Sequence, residues 1–517
     1  MNHPSIFNDV LGPVMRGPSS SHSAAALRIG RIARDLMGGS IRRAVIDYDP
    51  NGSLVTTHKS QGTDMGLYGG FLGWEADDER LPDYQEHIDA AGIEIQVNYL
   101  SYGAKHPNTY RLELSNAEIT HKLTAISTGG GMMEVIEIDG HPVAMAGDLF
   151  ETLVFTGASS PELGGLIPDT LEATVEQDGL VQLRGRQGLS GSALERLRAV
   201  PGVSEVAVLC PVMPVLGRAE IVVPFTTCSE MLAGAGGRPL WQMAIDYESA
   251  RSGDSEEEVY AKMVKLLGVM RAAIAHGLAG TDYEDRILPC QTENFAKMRE
   301  AGRLIQGDVL NEVILQVSAL MEAKSSMGVI VAAPTAGSCG AMPGAVLGTS
   351  TILESSDDEV IKALFIAGLI GVFIARGSTF AAEEAGCMAE CGSGASMSAA
   401  ALTFLGGGNL EQSLGAASMA LQASLGMICD PIGNRVEAPC LGKNVLAATN
   451  AVSCANMALA EYQHLIPLDE VIEAMDKVGK AMPHEHCCTG LGGLAATPAA
   501  RKIEAALEES PAPVEQR

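Results

Sequence analysis

The sequence lacks the features that direct a chain into or across a membrane. Met1–Val14 has no basic stretch followed by an apolar run, so no secretory signal is expected. The longest uninterrupted apolar run, Ala363–Ala375, has 13 residues, whereas a membrane span needs about 20. This run therefore predicts a buried core helix.

Positive charge is also scarce. The chain has 35 Lys and Arg residues against 63 Asp and Glu, for a formal net charge of −28. Nucleic acid and anionic membranes require basic surfaces, so neither is expected as a partner. The negative net charge does not exclude a small anionic substrate, because a binding site can be locally positive in a protein that is negative as a whole. Internal repeats and low-complexity blocks are absent.

Cysteine is present, but not as a disulfide set. The count of eleven is odd, and a leaderless chain of this size indicates reduced thiols and a cytoplasmic location. Eight of the eleven follow residue 330. Thiols that stay reduced are available for metal.

Length and patterning predict an α+β multidomain fold, because 517 residues exceed one hydrophobic core. Residues 1–147 mix strand-like segments with the helical Ala24–Leu36 and predict an α/β domain. In residues 148–224, strand-like runs surround one helical segment, and this βαβ pattern predicts a small separate domain. Helical apolar spacing dominates residues 225–507, including Met231–Ile245, Glu256–His276 and Asp357–Ala375. Residues 508–517 are expected to form a flexible tail.

Three cysteines stand at probable breaks in structure, beside glycine or proline: Cys387 after Gly386, Cys429 before Asp430-Pro431, and Cys440 after Pro439. The spacings of 42 and 11 residues match neither a ferredoxin run nor a zinc finger. Three thiolates would suit a four-iron four-sulfur cluster with one open iron, which can act as a Lewis acid. Spacing alone equally allows three small buried hydrophobes.

The ordered motifs of the chain resemble those of the bacterial iron-sulfur-dependent L-serine dehydratases. The resemblance covers most of the chain and is specific for this superfamily. It rests on the following segments: Gly17–Ser23, Arg28–Arg31, Gly62–Asp64, His106–Thr109, Ser127–Gly131, Pro334–Gly340, Gly386-Cys387, Cys429–Pro431, Pro439-Cys440 and Gly492–Pro498.

This resemblance implies a serine dehydratase beta-type α/β domain, an ACT-like domain and an all-helical alpha-type domain, fused in one chain. It implies that Cys387, Cys429 and Cys440 are the metal ligands of a 4Fe-4S cluster. The implied reaction is β-elimination of water from L-serine, giving pyruvate and ammonia without pyridoxal phosphate. Some relatives close the cluster with a fourth thiolate, for which Cys487 or Cys488 is the candidate here.

The family likeness also selects polar residues near the N-terminus. Ser19, Ser20 and Ser21 precede an apolar helix and could cradle the substrate carboxylate, although simple N-capping of that helix is the alternative. His22 and Ser20 are catalytic candidates, because imidazole titrates near working pH and a serine alkoxide can serve as a base.

A second polar group contains His106, the other histidine candidate for the base, with Asn108 and Thr109 as substrate-binding candidates. A turn held by Asn108 before a strand is a competing interpretation. Thr335 and Ser338 could line the site or only pack close helices.

Two acidic residues beside the proposed ligands, Asp430 and Glu390, could orient ligand side chains or cap helices.

Four departures from the family pattern leave the substrate open. Family members have Gln where this chain has Met388, Val where it has Cys391, and Arg-Glu-Thr where it reads Cys487-Cys488-Thr489; many have Lys or Arg where it has Met132. A related lyase acting on L-cysteine or on a larger 3-hydroxy amino acid is therefore the first alternative. A non-enzymatic iron-sulfur or amino-acid sensor is the second. A homodimer is expected from base rates.

Overall fold

The computed structural model describes residues 3–157, 163, 171, 173–218, 221–283 and 286–509. Contacts divide the chain into two compact units. The helical unit comprises Met1–Ser20, Ser60–Gly62 and Val223–Arg517, and the sheet unit comprises Ser21–Lys59 and Thr63–Val222. The predicted mixture of helices and strands in a multidomain chain is confirmed.

The sheet unit is organised around a six-stranded sheet with the order β3-β2-β4-β5-β6-β7. Strands β2 and β3 pair in parallel and the other neighbours are antiparallel. Its strands are β2 Arg43–Tyr48, β3 Glu94–Tyr99, β4 Thr109–Ser115, β5 Thr120–Gly129, β6 Met132–Ile138 and β7 His141–Met145.

Two helices of this unit, α1 (Ala25–Leu36) and α3 (Thr63–Phe71), pack unusually close together. A Cβ atom at Gly30 would lie 2.4 Å from the carbonyl oxygen of Leu67, and one at Gly70 would lie 2.2 Å from that of Leu27. Only glycine permits this approach. The crossing fixes the beginning of α3 against the residues that lead into α1. Two shorter helices are α2 (Leu54–Thr57) and α4 (Tyr84–Ala90).

A second, four-stranded antiparallel sheet has the order β11-β8-β10-β9. It consists of β8 Phe150–Thr156, β9 Ala173–Gln177, β10 Leu180–Gly185 and β11 Val203–Leu209, with α5 Gly191–Arg198 before the last strand. Much of the stretch from 158 to 172 lies outside the described residues. The ACT-like assignment of residues 148–224 stays a prediction.

The helical unit contains thirteen described α-helices and one short antiparallel strand pair, β1 (Val14–Met15) with β12 (Ile330–Val331). The helices are α6 Cys228–Gly234, α7 Leu240–Ser252, α8 Glu256–Leu278, α9 Gln291–Glu300, α10 Asp308–Ser325, α11 Ala341–Leu353, α12 Asp357–Gly377, α13 Ala382–Cys387, α14 Ser393–Leu405, α15 Leu410–Gln422, α16 Cys440–Leu459, α17 Leu468–Lys480 and α18 Pro498–Glu509.

Local sequence explains where several of these helices begin. Ser255 and Glu258 form a reciprocal capping box at the start of α8, and Ser356 and Glu359 form another at the start of α12. Acidic residues fill the first turns of both helices, where they oppose the positive end of the helix dipole.

Helix α12 alone among the described helices is long and apolar enough to cross a membrane, but 78% of its most apolar window is buried inside the protein. The predicted core helix is thereby confirmed. Residues 510–517 of the predicted tail lie outside the described residues, and α18 extends to Glu509.

Candidate metal centre and polar network

Five buried cysteines of the helical unit interact with one another directly or electrostatically, and we call them the thiol centre: Cys387, Cys391, Cys429, Cys440 and Cys488. The Sγ atoms of Cys387 and Cys429 and a carboxylate oxygen of Glu390 all lie within 4.8 Å of one another. All eleven cysteines are free, as the sequence predicted.

A break in α13 turns Cys387 toward Cys429. Gly386 has a φ of 64°, a left-handed conformation that favours glycine, and a Cβ there would lie 2.7 Å from the carbonyl oxygen of Met427. The next amide, of Met388, donates to that same carbonyl at 3.0 Å. The chain around Cys387 therefore lies directly against the segment that leads into Cys429.

A third segment lies beside Cys429. Its amide donates to the carbonyl of His486 at 2.8 Å, and its carbonyl accepts from the amide of Cys488 at 3.3 Å. Cys488 packs in the same buried cluster as Cys387 and Cys429. The thiol of Cys487 instead approaches the carbonyl oxygens of Glu384 and Pro483, each at 3.6 Å.

Cys440 is the first residue of α16, and Asn444, one turn later, fixes its surroundings. The Asn444 amide donates to the carbonyls of Cys440 at 2.9 Å and Gly337 at 2.8 Å. Its oxygen accepts from the amide of Ala341 at 3.0 Å. A single buried amide thus ties the loop after Pro334 to a proposed ligand.

Hydrogen bonds from the thiols of Cys391 and Cys429 lower the pKa of the Cys387 thiol well below its usual value, and the Lys443 ammonium acts in the same direction. The Lys443 Nζ atom lies 3.8 Å from Cys387 Sγ and 2.5 Å from the Asp430 carboxylate. Asp430 also accepts from the amide of Leu494 at 2.8 Å. The centre therefore favours a thiolate at Cys387.

Glu390 is held as a neutral acid beside these thiols. Burial raises its pKa to about 8, and the charge at Cys387 adds to the rise. Its carboxylate accepts from the Thr335 hydroxyl at 2.5 Å. Thr335 and Ser338 also form a reciprocal cap, with their hydroxyls 3.0 Å apart. The two residues therefore lie next to the thiol centre while capping a local turn.

The donor set suits a soft metal or an iron-sulfur cluster. Several convergent thiols with a nearby lysine favour thiolate ligation, and carboxylate-rich sites for hard cations look different. Cys440 is not among the ligand atoms within 4.8 Å of one another.

The serine-rich motif divides between the two units. Ser19 and Ser20 are buried in the helical unit, where the Ser20 hydroxyl accepts from the amide of Ala336 at 3.2 Å. Ser21 and His22 belong to the sheet unit. Helix α1 begins at Ala25, and its N-cap residue, Ala24, makes no side-chain cap. None of the four residues therefore occupies the N-cap position.

A buried polar network in the sheet unit joins the two histidine-containing motifs. Nδ1 of His22 lies 3.1 Å from the Ser21 hydroxyl, and Nε2 lies 2.9 Å from the Thr57 hydroxyl. Thr57 donates to the carbonyl of Ser53 at 2.7 Å, and the Ser53 hydroxyl donates to the side-chain oxygen of Asn108. His22 and Asn108, 86 positions apart, thus belong to one network.

The contacts of Thr57 favour one tautomer of His22. Thr57 has one hydroxyl proton, and that proton is donated to the carbonyl of Ser53. Thr57 must then accept from Nε2, so Nε2 carries the proton and Nδ1 is left to accept from the Ser21 hydroxyl. In this tautomer, Nδ1 of His22 accepts a hydrogen bond from the Ser21 hydroxyl at 3.1 Å.

His106 shapes the turn before β4. Its Nδ1 accepts from the amide of Asn108 at 3.1 Å, and its carbonyl accepts from the Thr109 hydroxyl at 2.7 Å. Three of the family-like segments of the sheet unit each contain a buried side-chain atom that has no hydrogen-bond partner among the described residues. These atoms are Nδ2 of Asn108, Oγ of Ser127 and Oγ1 of Thr63. Unpaired buried donors are costly and commonly mark a ligand position.

Sequence reasoning missed several of these residues. Thr57, Ser53, Lys443 and Asn444 form the contacts described above, yet none stands in a spacing that signals chemistry. The Gln61 amide donates to the thiol of Cys488 at 3.8 Å. Its position one residue before the Gly62–Asp64 motif was the only available signal.

Comparison with known proteins places the chain among serine dehydratases. The family model described as the serine dehydratase alpha chain matches residues 236–495. The probable L-serine dehydratase alpha chain of Bacillus subtilis is 37% identical over 250 residues, covering 48% of this chain and 83% of the relative. The probable beta chain of the same organism is 31% identical over 218 residues, covering 40% and 98%. The L-serine dehydratase of Streptomyces coelicolor is 26% identical over 490 residues, covering 93% and 96%.

Proposed function

The chain belongs to the serine dehydratase family, and on that premise we propose that it is a single-chain L-serine ammonia-lyase with a four-iron four-sulfur cluster in its thiol centre. The reaction eliminates water from L-serine, and the resulting enamine hydrolyses to pyruvate and ammonia. The observation that carries the proposal is the convergence of Cys387, Cys429 and Glu390 within 4.8 Å, with further thiols beside them.

Cys387, Cys429 and Cys440 are the proposed cluster ligands, and Cys488 is the candidate for a fourth. A cluster held by three thiolates supplies an open iron that acts as a Lewis acid toward the substrate hydroxyl, a poor leaving group. Lys443 holds Asp430 and favours the thiolate of Cys387. Asn444 holds the backbone at Cys440.

Ser21 and His22 are the proposed proton-transfer pair. Nδ1 of His22 is the acceptor of the Ser21 proton, which makes Ser21 the candidate base toward the substrate α-proton. Thr57 orients the imidazole from its other nitrogen. Histidine thus acts on the substrate through a hydroxyl, because both of its ring nitrogens are already engaged.

Asn108 is the proposed substrate anchor in the sheet unit. Its oxygen is held by Ser53, so its amide nitrogen has a defined direction and no partner among the described residues. The hydroxyls of Ser127 and Thr63 are likewise unpaired there. An amino-acid carboxylate needs donors of this kind. Thr109, Ser19, Ser20, Thr335 and Ser338 remain proposed contacts, and His106 serves as a positioning residue.

A lyase acting on L-cysteine or on a larger 3-hydroxy amino acid is the second candidate. Three of the residues that depart from the family pattern lie at or beside the thiol centre: Cys391 is hydrogen-bonded to Cys387, Cys488 is hydrogen-bonded to Cys429, and Met388 accepts from the amide of Gly426 at 3.3 Å. At Met388 and Cys488 a polar side chain is replaced by a softer and less polar one, and at Cys391 a thiol replaces an aliphatic side chain. These replacements favour a substrate whose leaving group is less polar than hydroxide.

The proposal also includes the domain boundaries within the chain. We assign residues 148–224 to an ACT-like domain and residues 225–507 to the cluster domain. The enzyme is expected to be a cytoplasmic homodimer that contributes to amino-acid catabolism.

The test is anaerobic purification with assays for iron, acid-labile sulfide and 2-oxo acid formation from L-serine, L-threonine and L-cysteine. We expect about four irons per chain and pyruvate from L-serine. Cys387→Ala should abolish both, whereas Cys454→Ala, a buried thiol on the same helix as Cys440 but outside the thiol centre, should abolish neither. A protein that takes up no iron after anaerobic reconstitution would contradict the proposal.

A further inference from the structure

A lysine lies wholly inside the helical unit. Lys324, near the end of α10, is 0% exposed and is one of the largest fully buried side chains of the protein. Its ammonium donates to the backbone carbonyl of Val436. No carboxylate lies within ion-pair distance of it among the described residues. A buried ammonium with one neutral acceptor is strongly unfavourable unless opposite charge is near.

The two acidic residues closest in sequence to Lys324 and Val436 already accept hydrogen bonds from other groups. Glu322, also on α10, accepts from the amides of Gln291 at 2.5 Å and Thr292 at 3.2 Å. Glu437, next to Val436, accepts from the amide of Leu288 at 2.7 Å and from the Tyr283 hydroxyl at 2.9 Å. Neither carboxylate is a partner for the ammonium.

The anionic groups that Lys324 does influence belong to the thiol centre and its surroundings. Helix α10 packs against α16, which begins at Cys440, and Val436 lies four residues before that cysteine. Burial is the main cause that raises the pKa of the Cys440 thiol and of the Glu390 carboxyl, and the charge of Lys324 opposes both rises. The ammonium therefore lies within electrostatic reach of the proposed ligands.

We infer that Lys324 is the internal countercharge of the metal centre: its buried ammonium is balanced by the thiolate-ligated cluster and in turn holds that cluster in the protein. The inference rests on the proposed cluster. A cluster core with three thiolate ligands carries net negative charge, and charge near a cluster governs how strongly it is retained and how easily it is reduced. Lys324 is a positioning residue and need not touch the substrate.

This role predicts opposite effects of one substitution in two states of the protein. Without a cluster, Lys443 already lies beside Cys387 and the Lys324 ammonium has the Val436 carbonyl as its acceptor, so Lys324→Met should leave the melting temperature of the apoprotein unchanged or raise it. With the cluster bound, the same substitution should lower the melting temperature. A purely structural role, in which the bond to Val436 only clamps a loop, would destabilise both states equally.

The experiment compares wild type, Lys324→Met and Lys362→Met as apoprotein and after anaerobic reconstitution. Lys362 is a partly exposed lysine on α12 that pairs with Asp358 at 2.6 Å and lies over the Trp241 ring, and its substitution should lower the melting temperature of both states by the same small amount. For Lys324→Met we expect about tenfold faster loss of iron to a chelator and a lower midpoint potential of the cluster, since a positive charge has been removed.

Each outcome separates the possibilities. An apoprotein of Lys324→Met that unfolds, or that melts as far below wild type as the reconstituted form does, would overturn the countercharge role. A wild-type protein that binds no iron would overturn the proposed function first. Iron uptake by wild type with unchanged retention and potential in Lys324→Met would overturn this inference alone.

Discussion

The carbonyl of Cys429 accepts a hydrogen bond from the amide of Cys488 at 3.3 Å, although 59 positions separate the two residues. This contact brings a C-terminal thiol into the centre that Cys387 and Cys429 form. Its neighbour Cys487 points its thiol toward the carbonyls of Glu384 and Pro483. Two adjacent cysteines therefore have different surroundings, and they make a matched pair for experiment.

We expect Cys488→Ser to speed the loss of the cluster in air, and Cys487→Ser to leave it near the wild-type rate. A fourth thiolate near an open iron shields it from oxygen, whereas a thiol bonded to backbone carbonyls does not. The measurement is the decay of cluster absorbance after exposure to air. Equal decay in both variants would count against Cys488 as the fourth ligand.

Gly386→Ala should be among the most damaging single substitutions in the helical unit. Gly386 has φ 64° and ψ −169°, a conformation that costs residues other than glycine about 1–3 kcal/mol, and the new Cβ would also meet the carbonyl of Met427 at 2.7 Å. Gly407 is the matched control, because it has a φ of 83° but no atom within 4 Å of the added Cβ. Urea unfolding of both variants should show a loss at Gly386 clearly larger than the loss at Gly407.

Thr57→Val should lower kcat by about 100-fold with little change in KM, since general-base assistance contributes on that scale. Without the Thr57 hydroxyl, Nε2 of His22 loses the acceptor that favours a proton at that position, and Nδ1 accepts from Ser21 in a smaller fraction of the molecules. Thr56→Val is the control, because the Thr56 hydroxyl donates to the same Ser53 carbonyl at 3.2 Å, whereas the Thr57 hydroxyl also contacts the imidazole of His22. Equal kcat values for the two variants would contradict the assigned tautomer.

His121 should make the stability of the sheet unit depend on pH. Burial lowers its pKa, but hydrogen bonds to Asp139 at 2.6 Å and Glu205 at 3.2 Å outweigh burial and hold the pKa above its usual value. A folded pKa raised above the unfolded one gives stability that is complete below the unfolded value of about 6.5 and is lost as pH rises through the folded value.

We therefore expect the melting temperature of the apoprotein to fall as pH rises from about 6 toward alkaline values. His121→Gln should flatten this part of the profile. A slope that is the same in the variant would assign the pH dependence to another group.

Sequence patterning determined the class of the fold and many of its elements. The helical spacing of Glu256–His276 and Asp357–Ala375 predicted α8 and α12 within a few residues, because an apolar face of period 3.6 has few alternatives to a helix. In contrast, the apolar spacing of Met231–Ile245 predicts one helix, and this prediction is wrong. The structure forms α6 and α7 there, with a turn at Gly236 and Gly237 between them. Two glycines with positive φ interrupt the period that the pattern suggests.

The sequence by itself also determined which residue types are available for chemistry: Gly386, Pro431 and Pro439 beside three cysteines, and serines beside a histidine. Only the tertiary structure decided which of them meet. The backbones of Cys429 and Cys487 form a bridge, yet it is the thiol of Cys488 that meets the thiol of Cys429. Thr57 links His22 to Asn108, and the buried Lys324 donates to the carbonyl of Val436. These outcomes depend on backbone hydrogen bonds and packing between segments far apart in the chain, and local periodicity carries no information about such contacts.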